Sequence, residues 1–362
     1  MKLRHSVLVT SCLLALFMCM GGSPASGQLS ATGQPAGQEA FSQPAVVWTY
    51  VGTNWHPVEV SLGNRGTQVL AGLWHNPFVG SHAALLSRFD GSPPTPWWQA
   101  ADNGETTLHA VSAGDTDIHV TATSETMADL VSKILRVNKF SSKGLDWTYV
   151  HPQPVAGGAL LGISRDGAVV VAALGDIATD ITHVLVFGPD SAVPLQTHQL
   201  PGDRLLGLDV AAQGSHVVIT IDSVTQVLDL GDGSLHFVHD QAPFIGSQLG
   251  KAISGHGSVV GSNTGNGMAL FEWNGTDYVQ TWFRSVPGDA VVDISDDGRT
   301  MAYGLDFLYF DKRTITECVD IPSKTVTMSE DITTTGEYGN GIEDIAVTPD
   351  GRFFVTAAWG DE

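Results

Sequence analysis

The sequence predicts an all-β chain that repeats one four-stranded antiparallel unit seven times. A turn phrase recurs at intervals of 41 to 53 residues, and β-rich runs flank each copy. Helical signals are scarce. The last repeat has only two predicted strands, and a strand-like phrase near the N-terminus matches one of those it lacks. Together these observations predict a repeat architecture in which every unit is one small twisted sheet.

The recurring turn phrase begins with an apolar residue, which is usually followed by a serine. A turn and a β-rich run ending in small residues come next. It is most complete at Ile294-Ser-Asp-Asp-Gly298 and at Ile163-Ser-Arg-Asp-Gly167. Glycine at the turn supplies the positive φ that a tight hairpin needs, so each copy is expected to join two antiparallel strands. The turns of the seven copies lie at residues 66, 115, 167, 214, 257, 298 and 351.

A second phrase follows each turn phrase and supplies two further strands. It is an apolar strand that ends in a polar turn, followed by a strand that often opens with an aromatic residue, as in residues 268–275 and 278–282. Only residues 125–137 show an arguable helical spacing. We expect a strand at residues 133–137 instead, because the other repeats have their third strand there.

The repeat length is near the 40–50 residues per blade expected of propellers, so residues 46–362 are predicted to form a seven-bladed β-propeller. The seventh repeat contains only two strands before the sequence ends. Near the N-terminus, Trp48-Thr-Tyr50 copies the fourth-strand phrase Trp147-Thr-Tyr149, so the N-terminal segment is expected to complete the last blade, with residues 41–47 as its third strand. Alternatively, the sequence is truncated.

The N-terminus has the composition of a secretory signal peptide. Lys2 and Arg4 precede an apolar run over residues 7–20, and small residues follow up to Gly27. The run is shorter than the roughly 20 residues that span a bilayer. We therefore expect a signal peptide at residues 1–27, cleavage near Gly27, a secreted or periplasmic protein and no membrane span. Residues 28–45, rich in Gly, Gln, Ser, Ala and Pro, are expected to form a flexible linker.

Cysteine usage and charge narrow the possible functions. Loss of residues 1–27 would remove Cys12 and Cys19, so Cys318 is predicted to be a buried structural thiol without a disulfide partner. The chain has 17 Lys and Arg against 38 Asp and Glu, a net charge of −21. This balance opposes binding to nucleic acid and to anionic lipid and favours cationic partners. Acids on turns and on a solvated surface would also produce it.

The phrase Ile294-Ser-Asp-Asp-Gly298 and its copies resemble the S-x-D-G phrase of WD40-like and YVTN-type propeller repeats. The segment from Lys139 to Trp147-Thr-Tyr149 resembles quinoprotein-alcohol-dehydrogenase-like propellers. The resemblance covers nearly all of residues 46–362 and implies the fold, since propellers carry many unrelated activities. The Gly-His and Trp-Asp pairs of WD40 repeats do not recur in register, and no positions match the cofactor-stacking and calcium-binding residues of quinoprotein enzymes.

Motif searches select no site residue. Gly-x-Ser-x-Gly, His-Glu-x-x-His and cysteine pairs for zinc do not occur, and the acids Asp293, Asp296 and Asp297 do not fit a calcium loop. His236 and His239 are three residues apart, a spacing that does not align two ligands on one strand face. We predict no catalytic, cofactor-binding or metal-binding residues, and no cofactor. Residues 322–340, the longest non-repeat insertion, are the candidate for a specialised loop.

These features predict a secreted, monomeric binding scaffold for an unknown protein or small ligand, with no nucleic-acid partner. The alternative is a propeller enzyme, a lactonase-like hydrolase or a quinoprotein-like oxidoreductase, with its site on the axis. A third possibility is a structural repeat domain for assembly at a cell surface. Three or more Asp, Glu, His or Asn side chains within metal-binding distance at the axis would favour the enzyme.

Overall fold

The computed structural model describes residues 11–18, 46–53, 55–62, 69–75, 82–89, 95–102, 105–113, 118–128, 133–141, 143–240, 250–285, 289–306, 313–333 and 341–360. The regular structure of these residues consists of 28 β-strands, numbered β1 to β28 in chain order. The chain is all-β over the ranges given, as predicted. No helix with the length and apolar character needed to cross a membrane occurs among these residues.

The strands form seven four-stranded antiparallel sheets, and in six of them four consecutive strands pair in chain order. The first three of these are β3 (Trp55–Leu62), β4 (Val69–His75), β5 (His82–Phe89) and β6 (Thr95–Asp102); β7 (Glu105–Ala113), β8 (Ile118–Met127), β9 (Lys133–Ser141) and β10 (Gly144–Val150); and β11 (Ala159–Ile163), β12 (Val170–Asp176), β13 (Ile181–Phe187) and β14 (Pro194–Pro201). The next three are β15 (Leu205–Val210), β16 (His216–Ile221), β17 (Val224–Asp229) and β18 (Leu235–Asp240); β19 (Lys251–Ile253), β20 (Val259–Asn263), β21 (Gly267–Trp273) and β22 (Tyr278–Ser285); and β23 (Asp289–Ile294), β24 (Thr300–Asp306), β25 (Arg313–Asp320) and β26 (Thr325–Thr333).

The seventh sheet combines both ends of the chain, in the order β2-β1-β28-β27. Its strands are β1 (Ser11–Met18), β2 (Val46–Thr53), β27 (Gly341–Val347) and β28 (Phe353–Gly360). As expected, the N-terminal segment supplies the two strands that the seventh repeat lacks. The third strand, however, is β1 and not residues 41–47 as expected. Residues 46 and 47 belong to β2, which is the outer strand of the sheet. Residues 41–45 lie outside the described residues.

The turn phrase forms tight hairpins because its side chains satisfy backbone amides within the turn. In the best copy, Ser295 Oγ donates to Asp297 Oδ1 at 2.7 Å and accepts from the amide of Thr300 at 3.0 Å. Gly298 has a φ of 67°, a conformation that other residues adopt only with strain. Thr348 and Asp350 repeat the side-chain hydrogen bond at 2.8 Å. The predicted turns at residues 66 and 115 lie outside the described residues.

The core lies between the sheets, and burial decreases from the second strand of a sheet to the fourth. In β12 six of the seven residues are buried, which indicates that both faces are covered. In β14, at the outer edge of the same sheet, half-buried and exposed residues alternate. The β-branched run of β16 packs against β12 and β13 of the preceding sheet in one apolar cluster.

The first strand of each sheet contacts the first strand of the next. These neighbours are β3 with β7, β7 with β11, β11 with β15, β15 with β19, β19 with β23 and β23 with β27. The strand β27 in turn contacts β3. The first strands are edge strands of their sheets, so these contacts join sheets that share no ladder hydrogen bonds in the structure described.

Two local predictions have clear outcomes. Between residues 125 and 137 the structure has the end of β8 and the start of β9, so the expected strand at residues 133–137 is confirmed. The specialised loop expected at residues 322–340 is wrong for residues 325–333, because these form β26, the fourth strand of its sheet. Residues 334–340 lie outside the described residues.

The prediction that Cys318 is buried is confirmed, but the prediction that it is a free thiol is wrong. The residue is fully buried, in an apolar cluster with Ile345 and Phe354, but it is disulfide-bonded rather than a thiol. Cys12 and Cys19 are the only other cysteines of the sequence. Cleavage near Gly27 would remove both of them together with β1, so the disulfide and the predicted cleavage cannot coexist in one chain.

We expect the full-length chain and a chain beginning at Gln28 to differ in the reactivity of Cys318. Iodoacetamide under denaturing, non-reducing conditions should leave Cys318 unmodified in the full-length protein and modify it in the shorter one. The shorter chain should also have a lower thermal midpoint, because β28 and β2 lose the strand between them. Peptide mass mapping checks the first expectation, and modification of Cys318 in the full-length chain would contradict it.

Replacing Gly298 by alanine should lower the free energy of unfolding by about 1–2 kcal/mol, because the turn requires a positive φ. The added Cβ would also lie 3.3 Å from Cγ2 of Val259. Gly158→Ala is the matched control, since a Cβ there meets no atom within 4 Å. Urea denaturation of both variants measures the difference, and equal stabilities would show that the turn tolerates a side chain.

Candidate functional site

The first strands of six sheets line one cavity of about 190 Å³. We call it the inner cavity; it is bordered by parts of β3, β11, β15, β19, β23 and β27. Apolar residues such as Val210 and Ile294 contribute to its wall, but most of the surface exposed to the cavity is polar. The ionisable side chains in the lining are Arg165, Asp209, Lys251, Asp293, Asp296 and Asp344.

Three aspartates of the inner cavity connect neighbouring sheets. Asp209 Oδ2 accepts a hydrogen bond from the amide of Ile253 at 2.8 Å, which joins β15 to β19. Asp293 Oδ2 accepts from the amide of Val347 at 2.6 Å, which joins β23 to β27. A third such bond, to Asp344 Oδ2, comes from the amide of Val60 at 2.7 Å and joins β27 to β3. We call these the three carboxylate bridges.

The bridges satisfy amides that no strand ladder can reach. A first strand has a ladder partner on one side only, and a buried amide without an acceptor is costly. Asp209 and Asp293 also accept from the amide of the following residue, at 2.7 and 2.8 Å respectively. Each of these two carboxylates is therefore held by two backbone donors, and hydrogen bonds to a charged group are stronger than neutral ones.

Burial raises the pKa of two of these carboxyl groups towards neutral pH. For Asp209, burial and the nearby Asp293 charge raise the pKa to about 7, against the lowering effect of the amides of Ile253 and Val210. For Asp293, burial raises the pKa to about 6, against the amide of Val347 and the charge of Arg165. Both groups change charge between pH 5 and pH 8, so the chemistry of the inner cavity depends on pH in that range.

The side chain of Arg165 connects three sheets at one end of the inner cavity. Its terminal nitrogen lies 2.9 Å from Asp296 Oδ1, and its Nε donates to the same oxygen at 3.1 Å. The other terminal nitrogen donates to the carbonyl of Leu62 at 3.2 Å. Arg165 follows β11, Asp296 follows β23 and Leu62 ends β3. A single guanidinium therefore ties the ends of three first strands together.

A second polar group lies in the wall of the inner cavity, between the fourth and fifth of the consecutive sheets. Lys251 Nζ donates to Ser262 Oγ at 2.6 Å and to the carbonyl of Asn263 at 2.7 Å. The Nε2 atom of His239 lies 2.7 Å from the same Ser262 Oγ. We call Lys251, Ser262 and His239 the lysine cluster. All three are buried, with Lys251 only 7 % exposed.

Burial lowers the pKa of Lys251 well below its ordinary value. Burial, with the nearby Lys251 charge, lowers the pKa of His239 to about 4. The His239 ring stacks on Phe271 at a centroid distance of 4.8 Å and an angle of 8°. The lysine cluster thus places a hydroxyl between two nitrogen bases in an apolar setting.

The acids and histidines that the sequence singled out separate into two kinds. Asp293 and Asp296 line the inner cavity, whereas Asp297 accepts the hydrogen bond of Ser295 within its turn. His236 contacts Trp273 at a centroid distance of 4.8 Å, and His239 belongs to the lysine cluster. Over the ranges that the structure describes, no three His, Cys, Asp or Glu side chains are arranged to hold a metal ion.

Sequence reasoning missed Arg165, Asp209, Lys251 and Asp344. A signal was present for one of them, since Asp209 occupies the same place in its repeat as Asp293 does in another, directly before the apolar residue of the turn phrase. Charged residues are rarely fully buried without a partner. An acid or lysine inside an otherwise apolar first strand therefore indicated an inward-facing polar group.

Comparison with protein-family models and with curated protein sequences gave no match. The resemblance to WD40-like, YVTN-type and quinoprotein-like repeats accordingly stays a prediction based on the turn phrase. What the protein does must be argued from the geometry of the inner cavity.

The raised pKa values predict that ionisation of Asp209 and Asp293 destabilises the fold. With a pKa of 3.8 unfolded and about 7 folded, Asp209 binds a proton only in the folded state between these values. Its contribution to stability is complete below pH 4 and is lost as the pH rises to 7, by about 1.4 kcal/mol per pH unit. His239 acts oppositely, and its contribution is lost as the pH falls from 6.5 to about 4.

Comparison with the Asp209→Asn variant isolates this effect from that of His239. The wild type should exceed the variant in free energy of unfolding most at pH 5 and least at pH 8. Urea denaturation at four pH values from 5 to 8 measures the difference, with exposed Asp190→Asn as the control. A difference that stays constant over this range would contradict the assignment.

Proposed function

We propose that the seven sheets are the blades of a closed β-propeller, and that the protein is a binding module with its ligand site in the inner cavity. Three features support closure of the ring. The first strands contact each other in chain order and β27 contacts β3. The Asp344 bridge joins the same two strands. The seventh sheet takes strands from both chain ends, which leaves no sheet of two strands at a seam.

The observation that carries the binding proposal is one cavity to which the first strands of six sheets contribute. Sites for small ligands are concave and mostly apolar, with a few fixed polar groups that set orientation. The inner cavity is concave and its carboxyl groups are fixed by backbone hydrogen bonds, but most of its exposed lining is polar rather than apolar, which suits a polar ligand. Its volume of about 190 Å³ is below that of drug-sized pockets, so the ligand is a small molecule.

The charges of the lining define the chemistry of this ligand. Asp209 and Asp293 each accept two backbone hydrogen bonds, and a carboxylate can accept about four, so both can bind a further donor. Arg165 is already bonded to Asp296 and Leu62 and is not available to an anion to the same extent. A molecule that donates hydrogen bonds, such as a small amine or a polyol, therefore suits the cavity better than an anion. A net charge of −21 acts in the same direction at long range.

The setting of this binding module follows from the N-terminal sequence. The charged start, the apolar run and the small residues up to Gly27 support export to a secreted or periplasmic location. We propose that the exported protein acts as a monomer. Removal of residues 1–27 would take β1 out of the last blade, and β2, whose ladder partner in the structure described is β1, would have to pair anew with β28 to complete a three-stranded blade.

Thermal unfolding with a small set of probes tests the proposed function. At pH 8, where Asp209 and Asp293 are ionised, ethanolamine and glycerol should raise the thermal midpoint, and acetate should not, because the carboxylates repel an anion. Calorimetric titration of ethanolamine should then show at least tenfold weaker binding to Asp293→Asn and unchanged binding to Asp190→Asn. The proposal fails if acetate stabilises the protein as well as ethanolamine does, or if Asp293→Asn binds ethanolamine like the wild type.

A further inference from the structure

The position of Lys251 is fixed by its neighbours in the fifth of the consecutive sheets. Lys251 in β19 lies directly opposite Ser262 in β20, so the two side chains share one face of the sheet. Nζ is held by Ser262 Oγ at 2.6 Å and by the carbonyl of Asn263 at 2.7 Å. The same lysine lines the inner cavity. The amine of a residue that lines the cavity therefore has a defined position.

The surroundings of this amine favour its neutral form. None of the ion pairs in the structure described involves Lys251, and a buried ammonium without a carboxylate partner is costly. The titratable groups near it are His239 of β18, with Asp240 beside it, and Asp209 of β15, which also lines the inner cavity. His239 is itself uncharged at neutral pH because burial lowers its pKa to about 4.

A neutral amine is a nucleophile, whereas an ammonium is not. We propose that Lys251 is a reactive amine that condenses with a small neutral aldehyde or ketone entering the inner cavity. The Nζ lone pair attacks the carbonyl carbon, and the electron pair of the C=O bond moves to oxygen. The nitrogen loses a proton and the oxygen gains one. Loss of water then leaves a carbon–nitrogen double bond, so amine and carbonyl compound give imine and water.

The lysine cluster provides the route for the protons of this condensation. Ser262 Oγ lies 2.6 Å from Nζ and 2.7 Å from His239 Nε2. A hydroxyl is both donor and acceptor, so Ser262 can take a proton from the attacking nitrogen while it passes its own to His239. Ser262 and His239 are positioning and proton-relay residues, and Lys251 alone forms the covalent bond.

The cavity limits the carbonyl compound that Lys251 would accept. A volume of about 190 Å³ admits a molecule of only a few heavy atoms. The carboxyl groups of Asp209, Asp293 and Asp344 disfavour a substrate that carries its own carboxylate. A neutral aldehyde should therefore react faster than an α-keto acid or glyoxylate.

Competitive labelling of the folded full-length chain tests this reactivity. Propionaldehyde with sodium cyanoborohydride converts an imine into a stable propyl-lysine, which peptide mapping quantifies. Between pH 6 and pH 7, Lys251 should be labelled at least tenfold faster than exposed Lys143. From pH 6 to pH 9 the rate at Lys251 should rise less steeply than the rate at Lys143, because burial lowers the pKa of Lys251 well below its ordinary value. At pH 8, where Asp209 and Asp293 are ionised, glyoxylate should label Lys251 at least tenfold more slowly than propionaldehyde.

Two serine variants test whether the labelling of Lys251 depends on the lysine cluster or only on how accessible the amine is. Ser262→Ala should slow labelling of Lys251 about tenfold and leave Lys143 unchanged, and Ser258→Ala, an exposed serine near β20, is the matched control. An unlabelled Lys251 at every pH, or a pH profile parallel to that of Lys143, overturns the proposal. Equal rates with glyoxylate overturn the neutral substrate class. Labelling requires no binding of ethanolamine, so its outcome is independent of the proposed binding function.

Discussion

The backbone amides on the inner side of the first strands need acceptors, and buried carboxylates supply them at three junctions between sheets. Ile253, Val347 and Val60 each donate to an aspartate of the preceding sheet. The seven sheets share no ladder hydrogen bonds in the described structure, so apolar contact alone would leave their sliding past one another weakly restrained. Directional bonds to carboxyl oxygens fix the relative height of neighbouring first strands, and thereby the shape of the inner cavity.

The same bonds determine the electrostatics of the centre. An ionised carboxyl removed from water is expensive, and the two backbone donors at Asp209 and at Asp293 offset only part of that cost, so both pKa values stay above the ordinary range. Arg165 lowers both of them through its positive charge. The carboxyl groups that join neighbouring sheets are thus also the ionisable groups of the inner cavity. A substitution that changes the hydrogen bonds between sheets therefore also changes the charge of the cavity.

The sequence predicted those parts of the fold that local chemistry controls. The hairpins at Gly298 and Gly351 were visible because serine or threonine, aspartate and glycine act within five residues of one another. The third strand of the last sheet was placed wrongly because its register depends on partners such as Leu13 and Ala358, at opposite ends of the chain. The lysine cluster was invisible for a similar reason, since His239 and Ser262 belong to different repeats. A turn leaves a local pattern, whereas a contact between repeats leaves none in a single sequence.

The shared seventh sheet has a consequence for the order of folding. Six sheets are built from consecutive strands, so each can form soon after its own residues are synthesised. The pairing of β1 with β28 has to wait until residues 353–360 have been synthesised, and it closes a loop that contains the six other sheets. Pairings of such high sequence separation form slowly. From the synthesis of β28 until β1 pairs with it, one edge of β28 lacks its partner, and during this interval the chain is most exposed to association with other chains.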